Sequence, residues 1–251
     1  MGSMNQQKPG YGPDYGIDAP GVVRNFLLIG VAGLTLVAVS RFFLLPGYPA
    51  LVRALEGPGL WGGGYCLFAA AVMVWGSKVG KLRVRDRLLD SIPWSGREMV
   101  LDVGCGRGLL LIGAAKRLTS GKAIGIDIWQ TEDQTGSHPE NTRRNAASEG
   151  VLDRVQTQDG DARNMPFPDG SFDVVLSSWA LHNIYNDAER AKALREIVRV
   201  LKPGGRVAIV DVWHAREYAR FFEENGFTEV KLKGPNFLFV IPSFRVAAKK
   251  R

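Results

Sequence analysis

Cysteine and histidine are scarce in this chain, and each shortage excludes something. Two cysteines stand among 251 residues, Cys66 in an apolar run and Cys105 in a glycine turn. That is too few for a disulfide framework and fits a reducing compartment. The three histidines, His138, His182 and His214, are far apart in sequence, no His/Cys group has metal-ligand spacing, and no metal is expected. A surplus of positive charge is missing where a nucleic-acid enzyme would carry it. Met99–Ala248 holds nineteen Lys/Arg and nineteen Asp/Glu, whereas enzymes of nucleic acid gather basic surface around the site. The net charge of +7 comes from the first 98 residues, with ten basic and six acidic side chains, and from Lys249, Lys250 and Arg251. No nucleic-acid partner is expected.

The most informative stretch also lacks something. Met99–Gly108 (MVLDVGCGRG) is an apolar run entering a glycine-rich turn, and Ala123–Trp129 (AIGIDIW) is a second apolar run that reaches an acid. The pair reads as a strand, a tight turn at a helix N-terminus, and a second strand whose Asp127 accepts both ribose hydroxyls of a nucleoside. Dinucleotide turns follow Gly-x-Gly-x-x-Gly, so that backbone amides and the helix dipole meet a pyrophosphate. Here Gly104, Gly106 and Gly108 alternate, and Leu109 stands where the third glycine would fall. Asp102 precedes the turn, where it would repel a diphosphate and attract an amine or a sulfonium. A nucleoside with cationic groups and no phosphate is S-adenosylmethionine, the cofactor expected. Gly104 and Gly106 would let the backbone approach its methionine and ribose portions, Asp102 would offer charge near its cationic end, and Ile128 and Trp129 would pack on adenine.

Five stretches together resemble the class I S-adenosylmethionine-dependent methyltransferases, in the branch of quinone-biosynthesis and related small-molecule enzymes. They are Val100–Gly108 (VLDVGCGRG), Gly125–Ile128 (GIDI), Gly160–Pro168 (GDARNMPFP), Ser171–His182 (SFDVVLSSWALH) and Leu201–Asp211 (LKPGGRVAIVD). The resemblance runs from Arg83 to the C-terminus and implies an α/β, Rossmann-like sheet of seven strands, the last antiparallel. It implies that Asp161, with Ala162 beside it, reads the adenine amino group, which as a donor needs an acceptor. A helix N-cap is the plainer role for Asp161. Ser178 and Trp179 should border the methyl-donor pocket.

A base is needed only where the methyl acceptor must lose a proton. His182 is the candidate catalytic residue, because it follows the fourth strand at the carboxyl edge where α/β sites open. Its plainer role is a cap on the helix beginning near Asp187. His214 and His138 are weaker candidates.

The N-terminal third is of a different kind. Phe26–Leu45 is a run of twenty residues with one charge, Arg41, and Leu60–Gly76 has seventeen uncharged residues. A hydrocarbon core is ~30 Å thick and a helix rises about 1.5 Å per residue, so the first can span and the second barely can. Trp61, Tyr65 and Trp75 lie near the ends of the second run, and Gly30, Gly33, Gly62, Gly63 and Gly64 would allow close helix contact. Core helices of a soluble protein would carry a polar stripe, which these lack. A signal peptide would need a cleavage site and an exported protein. Lys78, Lys81, Arg83, Arg85 and Arg87 follow the second run, while the loop Pro46–Gly59 carries only Arg53 and Glu56. The positive-inside rule then places the catalytic domain and the N-terminus in the cytoplasm, with the basic stretch against anionic headgroups.

The expected organisation is a poorly ordered tail over 1–21 whose first four residues read as an expression scar, a two-helix transmembrane hairpin over 22–77, a basic linker helix over 78–98 and the methyltransferase domain over 99–251. Lys202-Pro203-Gly204-Gly205 should end a helix, and Pro242 in the last strand should force a bulge. The loop Trp129–His138 should lie over the cofactor. The expected function is methyl transfer from S-adenosylmethionine to a small lipophilic acceptor at a membrane. A cofactor-binding membrane sensor without turnover, or a tethered protein or nucleic-acid methyltransferase, stands as the alternative. Nucleic-acid amine methylation usually shows Asn/Asp-Pro-Pro-aromatic after the fourth strand, and here Ser177–Leu181 reads SSWAL.

Overall fold

Apolar side chains alternate along the strands of this chain and fill two separate cores. The computed structural model describes residues 12–44, 47–129, 138–238 and 241–251. The strands are β1 (Met99–Val103), β2 (Lys122–Asp127), β3 (Val155–Asp159), β4 (Phe172–Ser178), β5 (Leu201–Asp211), β6 (Thr228–Asn236) and β7 (Ser243–Lys249). The helices are α1 (Pro20–Val39), α2 (Pro49–Gly57), α3 (Gly63–Trp75), α4 (Lys81–Leu89), α5 (Leu109–Ala115), α6 (Pro139–Ser148), α7 (Asp187–Val200) and α8 (Ala215–Glu224).

The sheet order is β3-β2-β1-β4-β5-β7-β6. β1 to β5 run parallel and β7 lies antiparallel to both β5 and β6, the seven-stranded arrangement expected. On β4, Val174 and Leu176 join the core under α4 and α5, while Val175 joins the core under α7 and α8. Val207 and Ile209 on β5 face the second core, Ala208 and Val210 the first. Period-2 burial on both faces is what a parallel sheet covered by helices requires. Asn186 caps α7 by accepting from the Glu189 amide at 3.1 Å, so that task does not fall to His182. Arg190, fully buried, ties α7 to α8 through Glu217 at 2.8 Å and also meets Asp187 at 2.6 Å.

Two local expectations need correction. Lys202–Gly205 does not form a free helix-ending turn, since α7 stops at Val200 and the four residues lie within β5, beside a register shift at Phe172/Val174. Pro242 precedes β7 rather than interrupting it, and the irregularity falls on the partner strand between Lys233 and Asn236. Proline cannot donate to a ladder, so each strand excludes it or bulges around it.

The chain forms two units. One comprises the described residues Gly12–Gly16 with Lys81–Arg251, and the other Ile17–Gly80. Gly12–Gly16 falls in the segment expected to be a loose tail, yet it is held. Tyr15 is buried, the Asp14 amide donates to Asn145 Oδ1 at 2.9 Å, and Asn145 Nδ2 returns a bond to the Asp14 carbonyl at 2.9 Å. Lys81 Nζ donates to the carbonyls of Tyr15 and Gly16 at 2.7 and 2.9 Å.

In the other unit the loop expected over Pro46–Gly59 is largely helical. α2 occupies Pro49–Gly57, a π-helical turn at Pro58–Gly62 joins it to α3, and a second π-helical turn follows α3 at Gly76–Gly80. Of the basic linker helix expected over 78–98, α4 in the first unit takes Lys81–Leu89, and no helix continues from there to Glu98. α1 and its π-helical extension give an apolar helix Pro20–Phe43 of 24 residues. Gly30 and Gly33 meet Gly63 and Gly59: a Cβ on Gly30 would lie 3.0 Å from the Gly63 carbonyl, and one on Gly33 would lie 3.2 Å from that of Gly59. Gly59 and Gly63, four apart, form the small-residue seam by which apolar helices approach closely. A Cβ on Gly62 or Gly64 would meet nothing within 4 Å, so these two stand outside the seam, on other faces of the helix. Leu28, Ile29, Val31, Phe42, Trp61 and Phe68 are exposed on the outside of the pair. Arg41 meets Glu56 at 2.6 Å.

Candidate active site

The candidate site lies at the carboxyl ends of β1, β2, β4 and β5. The sheet order reverses between β1 and β4, and such a switch point is where open α/β sheets bind ligands. At the end of β1 the Gly104 amide donates to the Ile126 carbonyl at 2.9 Å, and the Gly106 amide donates to Asp127 Oδ2 at 2.8 Å. Thr142 Oγ1 on α6 donates to the Gly106 carbonyl at 2.5 Å, pinning the turn from outside. Gly104 has φ +71°, and a Cβ there would lie 2.2 Å from the Ala180 Cβ, so the turn packs directly on the segment after β4. Only glycine fits.

Asp102 is completely buried. Its Oδ2 accepts from the Leu111 amide at 2.8 Å, tying β1 to α5, while Oδ1 has no partner among the described residues. Burial pushes its carboxyl up to about 7; the Leu111 amide opposes the rise and the Asp127 charge adds to it. Asp127 holds two backbone amides, that of Gly106 on Oδ2 and that of Trp129 on Oδ1 at 2.8 Å. Each oxygen keeps a lone pair, enough for two hydroxyl donors. Ile128 is exposed; Trp129 has φ +55° and its Nε1 donates to Asp159 Oδ1 at 2.7 Å. Gln130–Ser137, most of the loop expected over the cofactor, lies outside the described residues.

Asp161 and Ala162 follow β3. The Arg163 guanidinium grips the Asp161 carboxylate at 2.5 Å and holds it below the usual carboxylate range, with burial working against the fall. Asp161 caps no helix; it sits in an isolated bridge with Asn164. Ser178 ends β4, and Trp179 follows with φ +48°, its amide bonded to the Val210 carbonyl at 2.9 Å. Tryptophans in left-handed backbone after β2 and after β4 mark both sides of the site as strained, a property that clusters where ligands bind.

His182 lies in the short 3₁₀ turn Leu181–Asn183, its side chain about one-fifth exposed, and its Nδ1 is 2.6 Å from Asp211 Oδ1. That contact is off the ring N–H axis, an electrostatic pairing rather than a linear hydrogen bond. Asp211 ends β5 and is buried; it accepts from the amides of His182 at 3.1 Å and Val212 at 2.8 Å, and from the Tyr218 hydroxyl at 3.2 Å. Burial, followed by the Asp211 charge, pushes the Tyr218 hydroxyl well up, so it donates throughout the physiological range. The sequence reading missed Asp211, although it ends a strand at the same edge as Asp127. His214 pairs with Glu217 at 3.0 Å on α8, and His138 Nδ1 accepts from the Glu140 amide at 3.3 Å as the cap of α6. Among the described residues no cluster could hold a metal ion. A cleft of about 420 Å³ between Arg97, Asp173, Arg206 and Lys249 lies at the opposite end of the strands.

These residues fit an adenosine with a cationic side group. A carboxylate with spare lone pairs ends β2, a buried acid with one unpartnered oxygen lies under the turn, and the glycine cradle excludes any side chain. Residues 101–209 match the family described as "Methyltransferase domain". This stretch of the chain therefore matches a methyltransferase domain. Its relatives include the demethylmenaquinone methyltransferase of Symbiobacterium thermophilum, 37% identical over 61% of this chain and 55% of that protein. The chloroplastic 2-phytyl-1,4-beta-naphthoquinone methyltransferase of Arabidopsis thaliana is 33% identical over 48% of this chain and 45% of its own length. The chain thus spans about half the length of these curated relatives. Among solved structures, a SAM-dependent methyltransferase from Aquifex aeolicus superposes with TM-score 0.53 at 21% identity, covering 68% of this chain and 92% of that one. The [4+2]-cyclase SpnF superposes with TM-score 0.54 at 20% identity, over 67% and 80% of the two chains. These likenesses describe the fold.

Proposed function

We propose that the protein is a membrane-anchored enzyme that moves a methyl group from S-adenosylmethionine to a small lipophilic acceptor, with His182 as base and Asp211 positioning it. The observation that carries the reading is the His182–Asp211 pair at the sheet edge where the glycine turn meets the segment after β4. Quinone-type names among the relatives favour a quinol or phenol, and a lipophilic amine or thiol fits the same site.

Asp127 would hold the ribose hydroxyls, with Gly104 and Gly106 against the methionine portion and Asp102 beneath. Ile128 and Trp129 would pack on adenine, Asp161 and Ala162 would read its amino group, and Ser178 would border the methyl. Bound there, the cofactor would supply an electrophilic methyl on a sulfonium, with a neutral thioether sulfur as the leaving group. Alignment alone can supply roughly 7–11 kcal/mol of the acceleration. With Nδ1 facing Asp211, the imidazole keeps its proton on Nδ1 and Nε2 takes the acceptor's proton. The buried Asp211 carboxylate stabilises the imidazolium that results.

Anchoring would come from the helix Pro20–Phe43 and from α2 and α3, joined at Pro58–Gly62. At 1.5 Å per residue the first is about 36 Å long, enough to cross a ~30 Å core. The outward apolar side chains and the glycine seam support spanning. Gly12–Gly16 and Lys81 onward belong to one unit, which supports a hairpin with the N-terminus on the catalytic side, the cytoplasmic one by the basic residues Lys78–Arg87. The test is incubation of detergent-purified protein with methyl-labelled S-adenosylmethionine and a lipid extract, followed by mass analysis. A labelled apolar product is expected. Cofactor binding without any labelled product would favour a membrane sensor instead.

A further inference from the structure

Two large aromatic side chains stand in water at the carboxyl edge of the sheet, on backbone that is held from both sides. Tyr185 is 86% exposed and Trp213 62%. Tyr185 comes three residues after His182, and Trp213 two residues after Asp211. The segments that carry them run side by side: the Trp179 amide donates to the Val210 carbonyl at 2.9 Å, and the His182 amide donates to Asp211 Oδ2 at 3.1 Å. Tyr185 sits between Ile184, whose carbonyl accepts from Arg190 Nη1 at 2.8 Å, and Asn186, the cap of α7. Trp213 sits between Val212, whose amide donates to Asp211 Oδ1 at 2.8 Å, and His214, whose ring meets Glu217 at 3.0 Å. Arg190 closes the frame, since the same buried guanidinium also donates to the two Glu217 oxygens at 3.1 and 2.8 Å. His214 has φ +60°, a left-handed turn that ends the Trp213 segment.

An exposed ring on fixed backbone has apolar area to bury and little backbone entropy to lose when a ligand covers it. Charge narrows what that ligand is. The charged groups bonded into the frame are Arg190, Glu217, Asp187 and Asp211, one cation against three acids. The Asp187 side chain is 87% exposed while that of Arg190 is fully covered, so a ligand at this edge meets negative charge, which disfavours a phosphate or a carboxylate. We propose that Tyr185 and Trp213 are specificity-determining residues that clamp the flat, uncharged ring of an aromatic acceptor beside the His182–Asp211 pair. A ring stacked or set edge-on against them gains more than its buried area alone supplies, and an alkyl amine or thiol has no such gain. An anionic lipid surface matches this rim poorly, since interfacial contacts carry Lys and Arg beside their aromatics. The clamp rests on the proposed function for the role of His182, and it narrows the acceptors that reading allows to quinols and phenols.

The test uses the full chain in detergent micelles, loaded with S-adenosylhomocysteine, with 2-naphthol as the probe. Equilibrium dialysis against empty micelles of the same detergent cancels the probe that micelles hold. Trp213→Ala and Tyr185→Ala should each weaken 2-naphthol binding about five- to ten-fold, the worth of an aromatic pair with part of its buried area. Trp213→Phe and Tyr185→Phe, which keep a ring, should restore most of that loss. 1-Octanol, apolar but without a ring, should lose less than 2-naphthol does on the same alanine substitutions. 2-Naphthoate, the anionic ring, should bind the wild type more weakly than 2-naphthol. Affinity for S-adenosylhomocysteine, measured on each variant, should not change, which establishes that the domain is folded. Absence of 2-naphthol binding, equal affinity in wild type and alanine variants, an equal loss for 1-octanol, or failure of both phenylalanine variants to rescue overturns the proposal. Trp213 emission, taken as the difference between wild type and Trp213→Phe, should be unchanged in nanodiscs of brominated phosphatidylcholine. Quenching there would assign the rings to the lipid surface and overturn the clamp equally. With S-adenosylmethionine supplied instead, 2-naphthol bound in this pattern but never methylated would leave the clamp standing and remove the proposed reaction. Methylation at the wild-type rate by both alanine variants would do the reverse.

Discussion

At the scale of single residues the site depends on two carboxylates of opposite habit. Asp211 is buried with three protein donors and the His182 ring around it, whereas Asp102 is buried with one donor. His182→Ala should lower kcat by about 10²–10⁴-fold and leave cofactor affinity unchanged, because general bases typically contribute that much. Asp211→Asn should lower kcat and leave cofactor affinity unchanged, since the imidazole loses the carboxylate that orients it. A kcat equal to that of the wild type would assign Asp211 to structure alone. Asp102 makes a different prediction. Its carboxyl rises from 3.8 to about 7 on folding, so the folded domain keeps that proton to higher pH than the unfolded chain does. The stabilisation is complete below the lower value and is lost as pH rises through the upper one. Thermal melts of the cofactor-free protein should therefore fall more steeply between these values for the wild type than for Asp102→Asn. Equal slopes would place the pH dependence on other groups. Asp102, Gly104 and Asp127 were legible in the sequence because their spacing around a turn is local. Asp211 was not, because its partner is 29 residues away.

At the scale of elements the unexpected part is Gly12–Gly16. A segment rich in proline, glycine and glutamine reads as a loose tail, yet Tyr15 buries its ring with the Arg85 guanidinium 6.0 Å above it and donates to Glu149 at 3.3 Å. Asp14 adds an ion pair with Arg107 at 2.9 Å, and Arg107 belongs to the glycine turn. The segment thus braces the turn through Arg107 and Asn145. Tyr15→Ala removes a buried aromatic at the margin of the core and should cost on the order of 2–4 kcal/mol. A melting temperature within a degree of wild type would show that the contact is dispensable. A composition without periodicity cannot announce such a strap, because the burial comes from α4, α6 and the turn.

At the scale of the whole molecule, two kinds of surface meet in one chain. The methyltransferase domain is nearly charge-neutral and buries both faces of its sheet, while the helical pair turns its apolar side chains outward. Replacing Ile17–Gly80 by a flexible glycine–serine segment should preserve turnover of a short, water-soluble acceptor. It should sharply reduce turnover of the same acceptor carrying a long alkyl chain in vesicles. Equal loss on both substrates would mean that the helical unit supports folding rather than substrate access.

The sequence by itself determined what depends on near neighbours. The apolar run into Gly104, the strand-ending Asp127, the alternation of strands and helices and the two apolar runs all follow from local periodicity, turn chemistry and charge. Only the tertiary structure decided which distant groups meet: Asp211 with His182, Tyr15 with Glu149, and Gly59 rather than Gly62 or Gly64 against α1. It also extended the second apolar run back through Pro58, where the helix passes through a π-helical turn at a residue that has no N–H to donate. The physical reason is common to all of these. Local propensity is written residue by residue, but pairing across the fold is settled by close packing, by burial of charge and by the need to satisfy every buried polar group.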